Sequence, residues 1–208
     1  HLFPSQYWVS IAKLLFGGRA QIVTTEHSTS NKRFNHRLTM MIDRCIYKQY
    51  KYIFCISEGV RRAMEAHLNG KQNKALVVVP NGIDTKRFLS AEPISRKELH
   101  LTDRDVFILQ VARFGEQKDQ DCLIRALTYL PDNYVAVFAG DGDRLKVCQQ
   151  LASQLNVINR CRFLGNRTDI PNLWASADIG VMSSHWEGFG LSAVECMAAR
   201  KPILVSNV

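Results

Sequence analysis

The strongest constraint on this chain is an alternation. Short runs rich in β-branched and aromatic residues are each followed by a longer stretch with apolar residues at helical spacing. Strands joined by helices into parallel sheets, covered on both faces, produce that pattern. Strands are predicted at Ala20–Thr25, Tyr52–Ile56, Leu76–Val79, Val106–Val111, Tyr134–Ala139, Arg162–Leu164, Ile179–Met182 and Pro202–Ser206. Helices are predicted at Gln6–Phe16, Arg33–Tyr50, from an N-cap at Ser57 to His67, and at Asp119–Leu130, Asp143–Leu155, Asp169–Ser176 and Leu191–Ala199. The expected fold class is α/β, as two doubly wound parallel-sheet units.

After Phe88 the alternation pauses in a polar stretch containing Pro93. It reads as a linker over residues 91–100, between a first domain (1–90) and a second (101–208). With 46% hydrophobic and 22% charged residues, the 208-residue chain is not disordered, a collagen or a disulfide miniprotein. Residues 1–100 carry 16 Lys/Arg against 7 Asp/Glu, and residues 101–208 carry 11 against 12. A basic first half is compatible with an anionic membrane surface or a phosphorylated substrate. A nucleic-acid partner is not expected, because the basic residues are scattered and no nucleic-acid motif accompanies them.

The six cysteines form no CxxC pair and have no histidine at zinc-finger spacing. A reduced, cytoplasmic protein without structural metal is therefore expected. No apolar run approaches the length of a membrane span, so any membrane association is expected to be peripheral. The chain opens on His1 and stops at Val208, where the loop after the last strand should begin; a fragment truncated at both ends is expected.

The densest segment for chemistry is Ser183–Leu191 (SSHWEGFGL), between a strand and a helix. Its glycines let a ligand approach the backbone, and the helix start offers unpaired N–H groups to an anion, most naturally a phosphate. Glu187 lies in that loop and Glu195 on the helix, beside an apolar face. Carboxylates so placed can accept hydrogen bonds from sugar hydroxyls; alone, they read equally well as a loop and a surface glutamate. Arg113 and Lys118 follow the strand Val106–Val111 and can clamp a diphosphate; alone, they read better as a solvated loop paired with Glu116 and Asp119. Gly140-Asp141-Gly142-Asp143 lacks a glycine where Leu145 stands, so it is not a dinucleotide fingerprint, and it reads as a tight turn lining a cleft. Three Asp-x-Asp pairs in one stretch make that pattern uninformative about metal. His27 closes a strand at Thr24-Thr25-Glu26-His27-Ser28. No nucleophile elbow and no HExxH occurs.

Together these segments resemble the family-4 retaining glycosyltransferases, which have the GT-B architecture of two Rossmann-like domains. The carriers are TTEHS (Thr24–Ser28), ISEGV (Ile56–Val60), VPNGID (Val79–Asp84), VARFGEQKD (Val111–Asp119), AGDGD (Ala139–Asp143), FLGNRTDI (Phe163–Ile170) and SSHWEGFGLSAVE (Ser183–Glu195). The resemblance implies that Arg113 and Lys118 hold the donor diphosphate. It implies that Glu187, first in an E-x7-E motif, contacts the transferred sugar and that Glu195 binds the ribose. Gly188, Phe189, Gly190 and Leu191 would supply main-chain contacts to sugar and phosphate, and His27 would reach the donor sugar. Gly165, Arg167 and Asp169 would lie near the nucleotide base, with Gly140, Ser57 and Asn81 lining the cleft.

The implied reaction moves a sugar from a nucleoside diphosphate sugar, UDP- or GDP-linked, to a glycan, lipid-linked or polysaccharide precursor. It retains anomeric configuration and needs no metal or other cofactor, the nucleotide sugar being a substrate. Two parts of the family pattern are unmatched: an opening strand with a glycine-rich loop, and further elements beyond the last strand. The competing expectations are a nucleotide-sugar epimerase of the same architecture, whose catalytic acids find no counterpart here, and a non-catalytic nucleotide-binding or membrane-associated module.

Overall fold

The computed structural model describes residues 4–30, 37–70 and 75–208. Contacts divide the chain into two compact units: His1–Asn81 with Glu187–Phe189, and Gly82–Trp186 with Gly190–Val208.

The first unit is built from α1 (Ser5–Phe16), β1 (Ile22–Glu26), α2 (Arg37–Tyr47), β2 (Tyr50–Cys55), α3 (Glu58–His67) and β3 (Leu76–Val78). Its strands form a parallel sheet in the order β1–β2–β3. The core gathers Tyr47, Ile53, Cys55, Val60, Met64 and Leu68. Ser57 caps α3 as the sequence predicts, its Oγ accepting from the Val60 amide at 3.2 Å. The helix expected to run to Tyr50 stops at Tyr47, and its expected start at 33–36 lies outside the described residues. Tyr50 instead opens β2, buried, with its hydroxyl donating to the Gln6 carbonyl at 2.8 Å. A buried polar cluster joins the helices: the Tyr7 hydroxyl donates to Asp43, whose other oxygen lies 2.8 Å from His67 Nε2.

The second unit contains α4 (Thr85–Leu89), β4 (Val106–Val111), α5 (Gln120–Ala126), β5 (Tyr134–Ala139), α6 (Leu145–Gln154), β6 (Cys161–Phe163), α7 (Ile170–Ser176), β7 (Ile179–Met182), α8 (Leu191–Ala198) and β8 (Ile203–Val205). All five strands are parallel, in the order β6–β5–β4–β7–β8. Phe107, Leu109, Val135 and Val137 project to one face, against Leu173 and Trp174 of α7. Ile108, Ala136 and Phe138 project to the other, against Leu123 and Ile124 of α5 and Cys148 and Ala152 of α6. Each large apolar side chain so buried contributes roughly 1.5–3 kcal/mol.

The short helix α4 is absent from the sequence reading. Asp84 starts it, its carboxylate accepting from the Lys86 and Arg87 amides at 3.1 and 3.4 Å. Residues 91–100, read as a linker, pack into the second unit. Leu99 joins Phe88 and Leu101 in the core, and Arg96 pairs with Asp178 at 3.0 Å. The stretch looks polar because its few apolar anchors are separated by charges. The helix expected at Asp119–Leu130 divides into α5 and a 3₁₀ turn, Leu127–Tyr129.

All six cysteines are free thiols. Burial pushes Cys55, Cys161 and Cys196 up to about 11 and Cys148 up to about 12. They are small core residues, whereas Cys45 and Cys122 are exposed.

The strand-end loops of the second unit touch main chain to main chain. Gly140 donates to the Gly165 carbonyl at 2.8 Å, and Phe114 to the Asp141 carbonyl at 2.9 Å. Gly140 and Gly142 have φ of 144° and 152°; an added Cβ would stand 2.0 Å from the Ala112 oxygen and 2.2 Å from the Phe114 oxygen. Backbone cannot give way there as a flexible side chain could. Gly140→Ala is therefore expected to cost roughly 2–4 kcal/mol, read as a lowered midpoint in urea unfolding. Gly82→Ala, with nothing within 4 Å of the new methyl, serves as the near-neutral control.

Candidate functional site

In the second unit, the chain leaves β4 toward β5 on one side and returns through α7 to β7 on the other. The carboxyl ends of β4 and β7 thus flank the point where the winding reverses, the usual ligand crevice of an open parallel sheet. Two loops occupy that point. Residues 112–119 follow β4 and carry Arg113 and Lys118; residues 183–190 follow β7 and lead into α8.

Hydrogen bonds tie these loops together. The His185 amide donates to the Gln117 carbonyl at 2.8 Å, and Gln117 Nε2 returns a bond to the Trp186 carbonyl at 2.7 Å. Ser183 Oγ donates to the Asp119 carbonyl at 2.8 Å. Buried Gln110, at the end of β4, donates to the Lys118 carbonyl at 3.0 Å and to Ser183 Oγ at 3.1 Å. Buried Gln120 donates to the Arg113 carbonyl at 3.0 Å. Asp119 reverses the chain at φ 44° and caps α5, its Oδ1 accepting from the Cys122 amide. The sequence assigns no role to Gln110 or Gln120, and it places Gln117 and Ser183 only within motif segments. The one available signal was Gln110, an amide interrupting the otherwise apolar VFILQV.

Arg113 is exposed; its guanidinium lies 3.3 Å from the Asp143 carboxylate, and both side chains are mostly in solvent. A pair so screened is weak and yields readily to a more highly charged anion. Lys118 ends a 3₁₀ turn, Glu116–Lys118, and is half-buried. Gly190 stands at the N-cap of α8 with φ 79°, leaving the Leu191 and Ser192 amides at the open, positive end of the helix. Glu195, one turn further along, is half-buried. Burial holds its carboxyl above the ordinary range, partly offset by the Trp174 indole N–H, 3.4 Å away. A carboxylate kept from water beside a crevice is suited to accepting hydroxyl hydrogen bonds. Arg167 donates two hydrogen bonds to the Asp169 carboxylate, at 2.8 and 2.5 Å, which hold the Asp169 carboxyl below its usual range and engage the edge of the guanidinium. The exposed Asp141 carboxylate accepts from the Gly142 amide at 2.7 Å. Among the described residues, no three His, Cys, Asp or Glu side chains converge as a metal-ligand group.

In the first unit, exposed His27 directly follows β1, and Glu187–Phe189 pack beside it. Thr29 Oγ1 donates to the Glu187 carbonyl at 3.2 Å, and Phe189 rests on the core of Ile53 and its neighbours. A Cβ on Gly188 would stand 2.1 Å from the His27 oxygen, so the main chains meet there only through glycine. His27 and the Glu187 segment, far apart in sequence, are thereby brought together. Ser57 serves as a helix cap.

Comparison with known proteins extends this picture. The model of a family described as "Glycosyl transferases group 1" matches residues 91–208, and that of "Glycosyltransferase Family 4" matches residues 1–87. An uncharacterised glycosyltransferase of Methanocaldococcus jannaschii, MJ1607, is 34% identical over 75% of this chain and 42% of its own length. The Escherichia coli UDP-Gal:alpha-D-GlcNAc-diphosphoundecaprenol alpha-1,3-galactosyltransferase is 31% identical over 63% of this chain and 36% of its own. Among solved structures, Anabaena HepE in complex with UDP and glucose superposes with a TM-score of 0.86 at 23% identity, over 98% of this chain and 57% of that one. This likeness establishes the fold as GT-B, with two Rossmann-like units. The chain spans about half the length of the proteins it matches, or less.

The raised Glu195 carboxyl has a thermodynamic consequence. Because folding raises its affinity for a proton, the stability it contributes is complete below the pKa of an unfolded glutamate, about 4.3. That contribution is lost as pH rises through the folded value. Glu195→Gln, which still offers Trp174 an oxygen, is expected to remove this loss. Its melting temperature relative to the parent should climb across that pH window and stay level above it, as followed by thermal denaturation at stepped pH.

Proposed function

Because the chain belongs to the group 1 glycosyl transferases, we propose that it carries the donor-handling machinery of a hexosyltransferase. This enzyme moves a sugar from a nucleoside diphosphate sugar to an acceptor with retention of anomeric configuration. One observation carries the reading: the loop bearing Arg113 and Lys118 and the loop entering α8 are bonded to each other at the switch point of the sheet. In this reading the two cations of the first loop and the start of α8 serve one diphosphate.

Breaking the bond between the anomeric carbon and the diphosphate oxygen leaves negative charge on the departing phosphate. In this reading Lys118, Arg113 and the amides at the start of α8 meet that charge. The main-chain amides, fixed before reaction, need no reorganisation as it develops. Glu195 takes the ribose hydroxyls, and Glu187 with His27 serves the transferred sugar. None of these residues is assigned as a covalent nucleophile; the acceptor oxygen attacks from the face the phosphate leaves, which retains configuration. The cationic side chains carry the phosphate charge without a metal ion. UDP is the nucleotide bound by the solved relative HepE, and a diphosphoundecaprenol-linked sugar is named as acceptor for the E. coli relative. These favour a UDP-sugar donor and a lipid-linked acceptor here. The described residues contain no helix long and apolar enough to cross a membrane. An acceptor on a lipid carrier would be met at a membrane surface, and the basic first half is consistent with that.

Two outcomes are expected of the full-length protein. In a screen of UDP- and GDP-hexoses with lipid-linked acceptors, one donor should give a product of retained configuration, at a rate unchanged by EDTA. An inverted product or loss of turnover in EDTA overturns the corresponding part of the reading. Lys118→Ala should lower kcat/KM by about 10²–10³-fold, measured as nucleoside diphosphate release.

A further inference from the structure

Gln110 occupies a position where the pattern of β4 calls for an apolar side chain. Its neighbours Ile108, Leu109 and Val111 are apolar, it stands opposite Phe138 in the sheet register, and it is only 2% exposed. Burying a primary amide costs free energy unless its hydrogen-bonding groups are used. Both Nε2 hydrogens are used, one on the Lys118 carbonyl and one on Ser183 Oγ. The Ser183 hydroxyl in turn stands within donating distance of the Asp119 carbonyl at 2.8 Å and the Lys118 carbonyl at 3.2 Å. Gln110 Oε1, by contrast, finds no partner. The amide is thus committed to two acceptors on two different loops, although half of its own hydrogen-bonding capacity goes unmet.

We propose that Gln110 is a positioning residue for diphosphate departure: its buried amide fixes the Lys118–Asp119 main chain to Ser183 and so holds the lysine loop in register with the loop that enters α8. The inference rests on the reading that Lys118 meets the donor diphosphate. Gln110 itself touches no substrate. It acts through Lys118, whose ammonium must stand at the same phosphate as the α8 amides. Misplacement of such a group by about 1 Å can cost 10²-fold in rate. Ser183 forms the second limb of the same fork, and its hydroxyl both accepts from Gln110 and donates to Asp119.

The test uses the full-length enzyme and two variants. Gln110→Met keeps the shape of the side chain and removes its donors; Ser183→Ala removes the other limb without altering the core. Each is expected to lower kcat by about 10–100-fold with donor KM changed less than about threefold. In a Lys118→Ala background, neither should lower kcat much further, since both act through that residue. If both variants keep the parental kcat while Lys118→Ala loses it, the positioning role is refuted and the diphosphate reading stands. If their losses multiply with that of Lys118→Ala, Gln110 does not act through Lys118 and the proposal also falls. If Lys118→Ala itself turns over normally, the diphosphate reading fails first. Should Gln110→Met not fold, Ser183→Ala carries the same three outcomes.

Discussion

The second unit depends on the placement of β4 between β5 and β7, parallel to both. One central strand with neighbours reached in opposite directions forces the following loops apart at its carboxyl end. Nothing in the sheet itself closes that gap. The gap must be lined by loops, and loops hold a fixed shape only when their main chains are bonded to something rigid. Here the rigid partners are β4, through Gln110, and the neighbouring loops, through glycines that admit backbone contact.

This arrangement explains why a stable core and polar buried groups coexist so near each other. The apolar layers around Phe107, Leu109 and Trp174 supply most of the stability on one face. Against that background the unpaired Oε1 atoms of Gln110 and Gln120 are a tolerated cost. Glu195 follows the same logic: an apolar helix side would suit packing better, yet a carboxyl is kept half from water beside the crevice. In each case a polar group sits where stability alone would favour hydrocarbon.

Much of the architecture was legible in the sequence, and the reason is period. The strands Val106–Val111, Tyr134–Ala139 and Ile179–Met182 match their predicted limits residue for residue, because parallel strands covered on both faces read as short apolar runs between turn residues. Elements without a period escaped. The helix Thr85–Leu89 is a single turn and a half, too short to show an apolar stripe. Tyr50 continues the helical spacing of Ile46 yet belongs to a strand, because its hydroxyl finds Gln6 across the fold. The stretch 91–100 hides Leu99 among charges, although that residue is buried. The site followed the same division. The strand ends placed the loops that carry Arg113, Lys118 and Gly190, while the roles expected of these residues and of Glu195 came from the family resemblance. The amides Gln110 and Gln120 act through carbonyls of other loops; Gln110 shows only as a polar interruption of an apolar strand, and Gln120 leaves no trace in local spacing. The bonding of Arg167 to Asp169 likewise emerges only from side-chain geometry.

The cysteines add a practical property. Four are sealed in the cores with their thiols held far from ionisation, while Cys45 on α2 and Cys122 on α5 stay at the surface. Each unit thus presents one handle to a maleimide and keeps its remaining sulfur silent. A maleimide probe at either position would report changes in its own unit, with no engineered residue required.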